Sequence, residues 1–355
     1  MGARSGAAAS FTTLISDLNG DAVGDVALCD PSTAHCQVMF GNRTRDAFRR
    51  TPIERSGASS GRPLLRMIGD FDADGFTDAV IGSPQTGRVD LLYGGATLQP
   101  TRVLAEESNV LNLLALGDWD GDGHADVGVQ TNRSVIILFG SGARDAAPAR
   151  ETITFNGGMV LQTLAGGDLD GDMLGDFVAR TGSKETIAHF GHPRMTSRRT
   201  QTLSPFATLI GMQVRDFNGD GFSDLYLPSR PAVLLGGSAL TQPPQTLDLS
   251  VINSALGDLN ADGYPDLLNV TMSTPVRVTS WLNSGRLGDP LVPGPNLQVT
   301  SMPRLTASTG SDFTGDGFDD FVLFAPSVGC IPLEGGDRLI PLSPFETPDE
   351  PVLAP

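Results

Sequence analysis

The chain has 355 residues, 24 Lys and Arg against 41 Asp and Glu, and a formal net charge of −17. That acidity argues against a nucleic-acid partner, which needs a basic footprint. Hydrophobic residues at 39% and clustered acids argue equally against a disordered acidic chain.

The opening stretch Met1–Ser10 (MGARSGAAAS) has no apolar core of a signal peptide and reads as a disordered or trimmed N-terminus. No apolar run approaches the length of a membrane-spanning helix. From Phe11 onward one pattern recurs. The apolar run Phe11–Ile15 leads into DLNGDAVGD at Asp17–Asp25 and then into DVALC. Cys29 and Cys36 flank a short Pro-containing turn and are placed to face each other across a hairpin, so a disulfide and two thiols both stay open.

Leu64–Ile68 then precedes DFDADGFTD at Asp70–Asp78, and Leu111–Leu116 precedes DWDGDGHAD at Asp118–Asp126. Four further copies follow: DLDGDMLGD at Asp168–Asp176, DFNGDGFSD at Asp216–Asp224, DLNADGYPD at Asp258–Asp266 and DFTGDGFDD at Asp312–Asp320. Successive starts lie 53, 48, 50, 48, 42 and 54 residues apart, the length of one four-stranded propeller blade. Each copy is followed by a short apolar run such as DAVIG or DFVLF, bounded by Pro, Gly or Ser, which reads as a strand. A third run usually ends in Gly, as at Val38–Gly41, Leu91–Gly95, Ile137–Gly140, His189–Gly191 and Leu234–Gly237. A more variable fourth strand fills the remainder, and no long helical period occurs. The prediction is all-β: a seven-bladed β-propeller of four-stranded antiparallel blades over residues 11–342, with a calcium loop in each blade. Asp337–Leu342 completes the last blade, and the Pro-rich stretch 343–355 reads as a tail. Cys330 reads as a buried small apolar residue.

Calcium is expected because each loop puts oxygen-bearing side chains at positions one, three, five and nine. A hard cation takes six to eight such oxygens. The candidate ligands are Asp17, Asn19, Asp21 and Asp25 in the first loop, and Asp70, Asp72, Asp74 and Asp78 in the second. Asp118, Asp120, Asp122 and Asp126 serve the third, and Asp168, Asp170, Asp172 and Asp176 the fourth. Asp216, Asn218, Asp220 and Asp224 follow in the fifth, Asp258, Asn260, Asp262 and Asp266 in the sixth. The seventh offers Asp312, Thr314, Asp316 and Asp320. Position seven adds a backbone carbonyl, and the final Asp closes the cage. Aspartates at these positions number 24 of the 41 acids, and carboxylates so crowded repel without a cation. Seven divalent ions would bring −17 to −3.

The sites are not expected to be equal. Gly at position six suits a positive φ, but Ala22 and Met173 stand there in loops one and four, with Gly24 and Gly175 at position eight and a turn expected to differ. Thr314 supplies a hydroxyl where other loops have a carboxylate or amide, which weakens the seventh site. At the ~10⁻⁴–10⁻³ M affinities of extracellular modules, the ions are structural and the protein belongs outside the cytosol, extracellular or periplasmic.

These loops resemble the FG-GAP repeat family, which includes the integrin α-subunit propeller and bacterial surface proteins. Phe40-Gly41, Phe139-Gly140, Phe190-Gly191 and the Gly-Ser-Pro at Gly82–Pro84 add to the resemblance, with looser versions at Asp30-Pro31, Leu227-Pro228 and Ala325-Pro326. It covers residues 11–342, is of the bacterial type in having a motif in all seven blades, and implies calcium between the first and second strands of each blade. It further implies a non-enzymatic adhesion or binding module holding a protein or cell-surface partner through one face. The connections opposite the calcium loops are the expected contact surface.

A lectin is the alternative. Trp119, at motif position two, is assigned to the interblade core, which leaves Tyr93, Tyr226, Tyr264 and Trp281 as sugar platforms, at no repeated blade position. An enzyme acting on polysaccharide ranks below both: His189 and His192 in HFGH are the sole paired metal candidates outside the loops, and no nucleophile elbow or zinc-protease motif occurs. Arg43, Arg45, Arg49, Arg50 and Arg55 read as a solvated hairpin that offsets the acidic loops.

Overall fold

In every repeat the runs flanking the acidic motif pair with each other, so the motif is the loop of an antiparallel hairpin. Thr12–Ser16 pairs Asp25–Cys29 in this way, and Leu64–Gly69 pairs Asp78–Gly82. The computed structural model describes residues 12–341, except 30–34, 44–48, 54–62, 100, 145, 156–158, 195, 204–208, 210, 229–230, 241–243, 248–253, 272–275, 287, 300–305, 308–309 and 326–328. The strands form seven four-stranded sheets, each built in sequence order from one contiguous repeat. The molecule is a seven-bladed β-propeller, and the described residues contain no helix.

Second strands are buried on both faces, as at Asp126–Gln130 and Asp266–Val270. That explains their continuous apolar runs without polar alternation, since each blade is sandwiched between two others. Outer strands such as Arg150–Thr154 are largely exposed. The core therefore lies in the seams. Leu114, Leu116, Trp119 and Phe155 of blade three pack on Phe177 and Ala179 of blade four. Trp119 is fully buried, its ring centroid 5.5 Å from that of Phe177.

Polar side chains on first strands join neighbouring blades near the axis. Arg66 Nη2 donates to Asn112 Oδ1 at 3.2 Å, Asn112 Nδ2 donates to Thr163 O at 3.2 Å, and Gln213 Nε2 donates to Ser254 O at 2.6 Å. The ring closes without a shared strand: Gly24 N donates to Asp312 O at 2.7 Å, and Asn42 N to Phe313 O at 3.3 Å. Blade seven ends in its own outer strand, Ile340–Pro341, inside the predicted Asp337–Leu342.

Cys29 and Cys36 are register partners and form a disulfide, which resolves that alternative. The backbone of Cys330 pairs with Phe324, but its side chain lies outside the described residues, as do Arg45, Arg55 and the side chains of Arg49 and Arg50. Met1–Ser10 and the tail 343–355 also lie outside them.

Candidate functional site

Each acidic loop is wound around its first aspartate. In the third loop Asp118 Oδ1 accepts from Gly121 N at 2.7 Å and Asp122 N at 3.2 Å, while Oδ2 accepts from Gly123 N at 2.9 Å. Asp122 Oδ1 then accepts from His124 N at 3.0 Å. Tight winding of this kind forces the backbone into the left-handed region. Position six has φ of 62° at Ala22, 67° at Met173 and 87–94° at the five glycines. Loops one and four therefore keep the common turn, contrary to the expectation drawn from their glycines at position eight. Those glycines answer a different need: Gly175 N donates to Asp118 O of the previous blade at 2.7 Å, and a Cβ there would meet Leu116 O at 1.4 Å.

A left-handed Cβ costs ~1–2 kcal/mol, and Met173 is 85% exposed, so nothing offsets that cost. Met173→Gly is expected to raise stability by about 1 kcal/mol in urea unfolding.

The ninth position does more than close the loop. Asp126 is fully buried; Oδ2 accepts from Trp119 N at 2.8 Å and Oδ1 from Gly140 N at 2.8 Å. The same two bonds occur in every blade. Oδ2 of Asp25, Asp78, Asp176, Asp224, Asp266 and Asp320 takes the position-two N–H, and Oδ1 takes the N–H ending the third strand. That second donor is the Gly of the Phe-Gly pairs in blades one, three and four, the first Gly of a Gly-Gly pair in blades two, five and seven, and Asn283 in blade six. At Gly140 a Cβ would collide with Phe71 O of the previous blade at 2.6 Å. The Phe-Gly signature is thus the partner of the ninth-position aspartate.

Burial pushes Asp25, Asp78, Asp126, Asp176, Asp266 and Asp320 up to about 7, and Asp224 to about 6. The two backbone N–H groups pull the other way, and the neighbouring loop aspartates add to the rise. With folded values above the unfolded 3.8, the folded chain binds more protons between about pH 4 and 7. Stability of the metal-stripped protein therefore falls as pH rises through that window. Its urea midpoint is expected to be higher near pH 5 than near pH 7.5, and a bound cation, which favours the ionised carboxylates, opposes the trend.

Carboxylate oxygens converge in three loops. Those of Asp70, Asp72 and Asp78 lie within 4.8 Å of one another, as do those of Asp118, Asp120 and Asp122, and of Asp168, Asp170 and Asp176. In loops one, five and six the position-three amide bonds position five instead: Asn19, Asn218 and Asn260 donate to Asp21, Asp220 and Asp262 at 2.8–3.1 Å. Asp120 Oδ1, at position three, is buried without a hydrogen-bond partner among the described residues. An all-oxygen donor set with an orphaned oxygen fits a hard cation such as calcium.

Arginines, unforeseen in the sequence, share these carboxylates. Arg144 of blade three pairs with Asp72 and Asp74 of blade two, and Arg194 of blade four with Asp120 and Asp122 of blade three. Arg199 pairs with Asp170. Arg144 stacks 4.6 Å from the Tyr93 centroid and Arg194 4.4 Å from that of Phe139. The signal was present: an Arg stands two to four residues after the third-strand terminus at Arg43, Arg144, Arg194, Arg286 and Arg338.

The HFGH histidines do not share a ligand position. His189 is buried and stacked 4.7 Å from Phe177, with burial and then Arg198 lowering its pKa to about 3. His192 instead stands edge-on to Trp119. Among the sequence-nominated aromatics, Tyr226 is buried against Ser254 Oγ at 2.6 Å, and Tyr264 packs beneath Gly219 and Gly285. Trp281 lines a cavity of about 410 Å³ in the seam between blades five and six. That cavity lies on the side of the acidic loops, as Phe217 and Asn283 in its wall show.

No protein-family model matches this sequence, and no curated protein matches it either. Solved structures do. BBS1N in complex with ARL6DN aligns over 95% of this chain and 94% of its own, at 10% identity and a TM-score of 0.56. A catalytically inactive virginiamycin B lyase from Staphylococcus aureus, with quinupristin, aligns over 89% and 97%, at 7% identity and a TM-score of 0.52. They share the propeller fold. An Agrocybe aegerita lection (lectin) described as recognising non-reducing terminal N-acetylglucosamine aligns over 94% and 80%, at 15% identity and a TM-score of 0.40. At such identities the likeness concerns fold alone.

Proposed function

We propose that this chain is a calcium-fastened recognition module of the FG-GAP type, non-enzymatic, working outside the cytosol and holding a protein partner at its surface. The carrying observation is the repeated loop: seven oxygen-rich turns of one geometry, with the position-three oxygen Asp120 Oδ1 buried without a partner among the described residues. A bound calcium ion would balance the carboxylate charge that arginines offset only in part, in loops two, three and four. Positions one, three and five would hold it, and position nine, tied to two backbone N–H groups, would both fix the turn and bring a carboxylate to the ion, as its convergence in loops two and four indicates. The Cys29–Cys36 disulfide suits an oxidising compartment.

The test is retention of labelled protein on intact cells or extracellular matrix. Retention in millimolar calcium, lost on chelation, is expected; equal retention in both conditions, or none in either, contradicts the reading.

One observation favours a second reading, glycan recognition. The cavity between blades five and six is walled by Trp281, one of the platforms the sequence nominated.

A further inference from the structure

We propose that the seam between blades five and six is a binding site for a single pyranose ring of a glycan. The inference deepens the second reading above and rests on it.

The seam is open because its two walls differ in length. The third and fourth strands of blade five, Ala232–Leu234 and Gln245–Thr246, have 3 and 2 residues. Those of blade six, Val276–Leu282 and Val292–Val299, have 7 and 8. Blade six thus overhangs a short neighbour, and the resulting cavity of about 410 Å³ falls within the ~300–1,000 Å³ of small-molecule sites.

Two residues in it differ from counterparts elsewhere, Trp281 from those of all six other blades and Arg286 from Arg144 and Arg194. Trp281 pairs with Leu267, the residue after the ninth-position aspartate. The same register elsewhere holds Met39, Leu92, Leu138, His189, Leu234 and Leu333. All six are buried at 4% exposure or less, whereas Trp281 is only half-buried and faces the cavity wall. Its Nε1 is buried without a hydrogen-bond partner among the described residues, so the ring offers the cavity its face and edge carbons.

Arg286 is the second. It stands where Arg144 and Arg194 stand in their blades, but no ion pair holds it among the described residues. The cause lies in the facing loop, where Asn218 replaces the aspartate of loops two and three and itself engages Asp220. Arg286, an exposed residue, is left lining the cavity.

The chemistry selects a sugar ring. A pyranose offers a C–H face to an aromatic ring and hydroxyls that both donate and accept. The wall supplies Trp281 for the face, Arg286 as donor, Asp289 as acceptor, and Gln245 as both. A phosphate would meet Asp289 beside Arg286, and the two-residue edge strand Gln245–Thr246 is too short to add a peptide strand.

The test uses calcium-loaded protein and the methyl pyranosides of glucose, galactose, mannose and N-acetylglucosamine, read by saturation-transfer NMR and tryptophan fluorescence. The chain has two tryptophans and Trp119 is fully buried, so a ligand-induced emission change reports Trp281. At least one glycoside is expected to bind. Trp281→Ala should weaken it at least tenfold, and Arg286→Gln, an exposed change that spares the core, severalfold. Binding by none of the four, or binding unchanged in both variants, overturns the proposal. A parent that still melts higher with calcium in that same experiment leaves the calcium-fastened module standing and removes only the sugar site.

Discussion

Removing calcium is expected to lower the thermal midpoint of this protein by about 10–15 °C. At an ion concentration near ten times the dissociation constant, each site stabilises the fold by ~1.4 kcal/mol, so seven sites contribute on the order of 10 kcal/mol. Unfolding entropy of ~2.1 cal/mol/K per residue converts that into the stated shift for a chain of this length. The loops will contribute unequally. In loops two, three and four an arginine already neutralises part of the carboxylate charge, and the ion must share or displace it. In loop seven the buried Thr314 hydroxyl replaces a carboxylate. Differential scanning calorimetry of calcium-loaded and chelated protein measures the shift, and coincident transitions would refute a stabilising ion.

The largest single-residue effect is expected at position nine. Asp126→Ala removes the acceptor of two buried N–H groups, Trp119 and Gly140, and cuts the tie between the loop and the third strand. Hydrogen bonds to a charged group are worth ~1.5–3 kcal/mol each, so the expected loss is about 3–5 kcal/mol, with or without calcium. Asp126→Asn keeps one acceptor oxygen and should lose about half as much. Asp122→Ala, at the exposed position five, should cost under about 1 kcal/mol without calcium and reduce the benefit of adding it. Urea unfolding of the three variants in chelator and in calcium separates these roles. Equal losses at positions five and nine would contradict the assignment of position nine as a buckle.

Most of the fold was legible because the acidic loops recur at blade length, and the strand runs around them are short and apolar. Trp119 was also assignable, since its position holds Phe71, Phe217 and Phe313 in other blades, all buried. The double role of position nine was less visible. Sequence places an acid there but cannot show that its oxygens face the N–H of a residue 12–17 positions later, a glycine in every blade but the sixth. The chain does carry that information in the Phe-Gly endings, but only the folded register joins the two signals. The Arg144 and Arg194 pairs escaped notice because their partners lie on the preceding blade, about 70 residues away. Neither did any repeat signal mark the cavity at Trp281. It follows from the unequal lengths of third and fourth strands, the least regular part of each repeat.

The central claim, that the loops hold calcium, is tested most directly by counting the ions. Equilibrium dialysis of metal-stripped protein against increasing calcium, with elemental analysis of the dialysed protein, is expected to approach seven ions per chain in graded steps. The combined substitution Asp70→Asn and Asp72→Asn should remove one ion. Binding of fewer than about three ions at 10 mM calcium, well above the ~10⁻⁴–10⁻³ M range of extracellular sites, would contradict the account, as would an unchanged count in that variant.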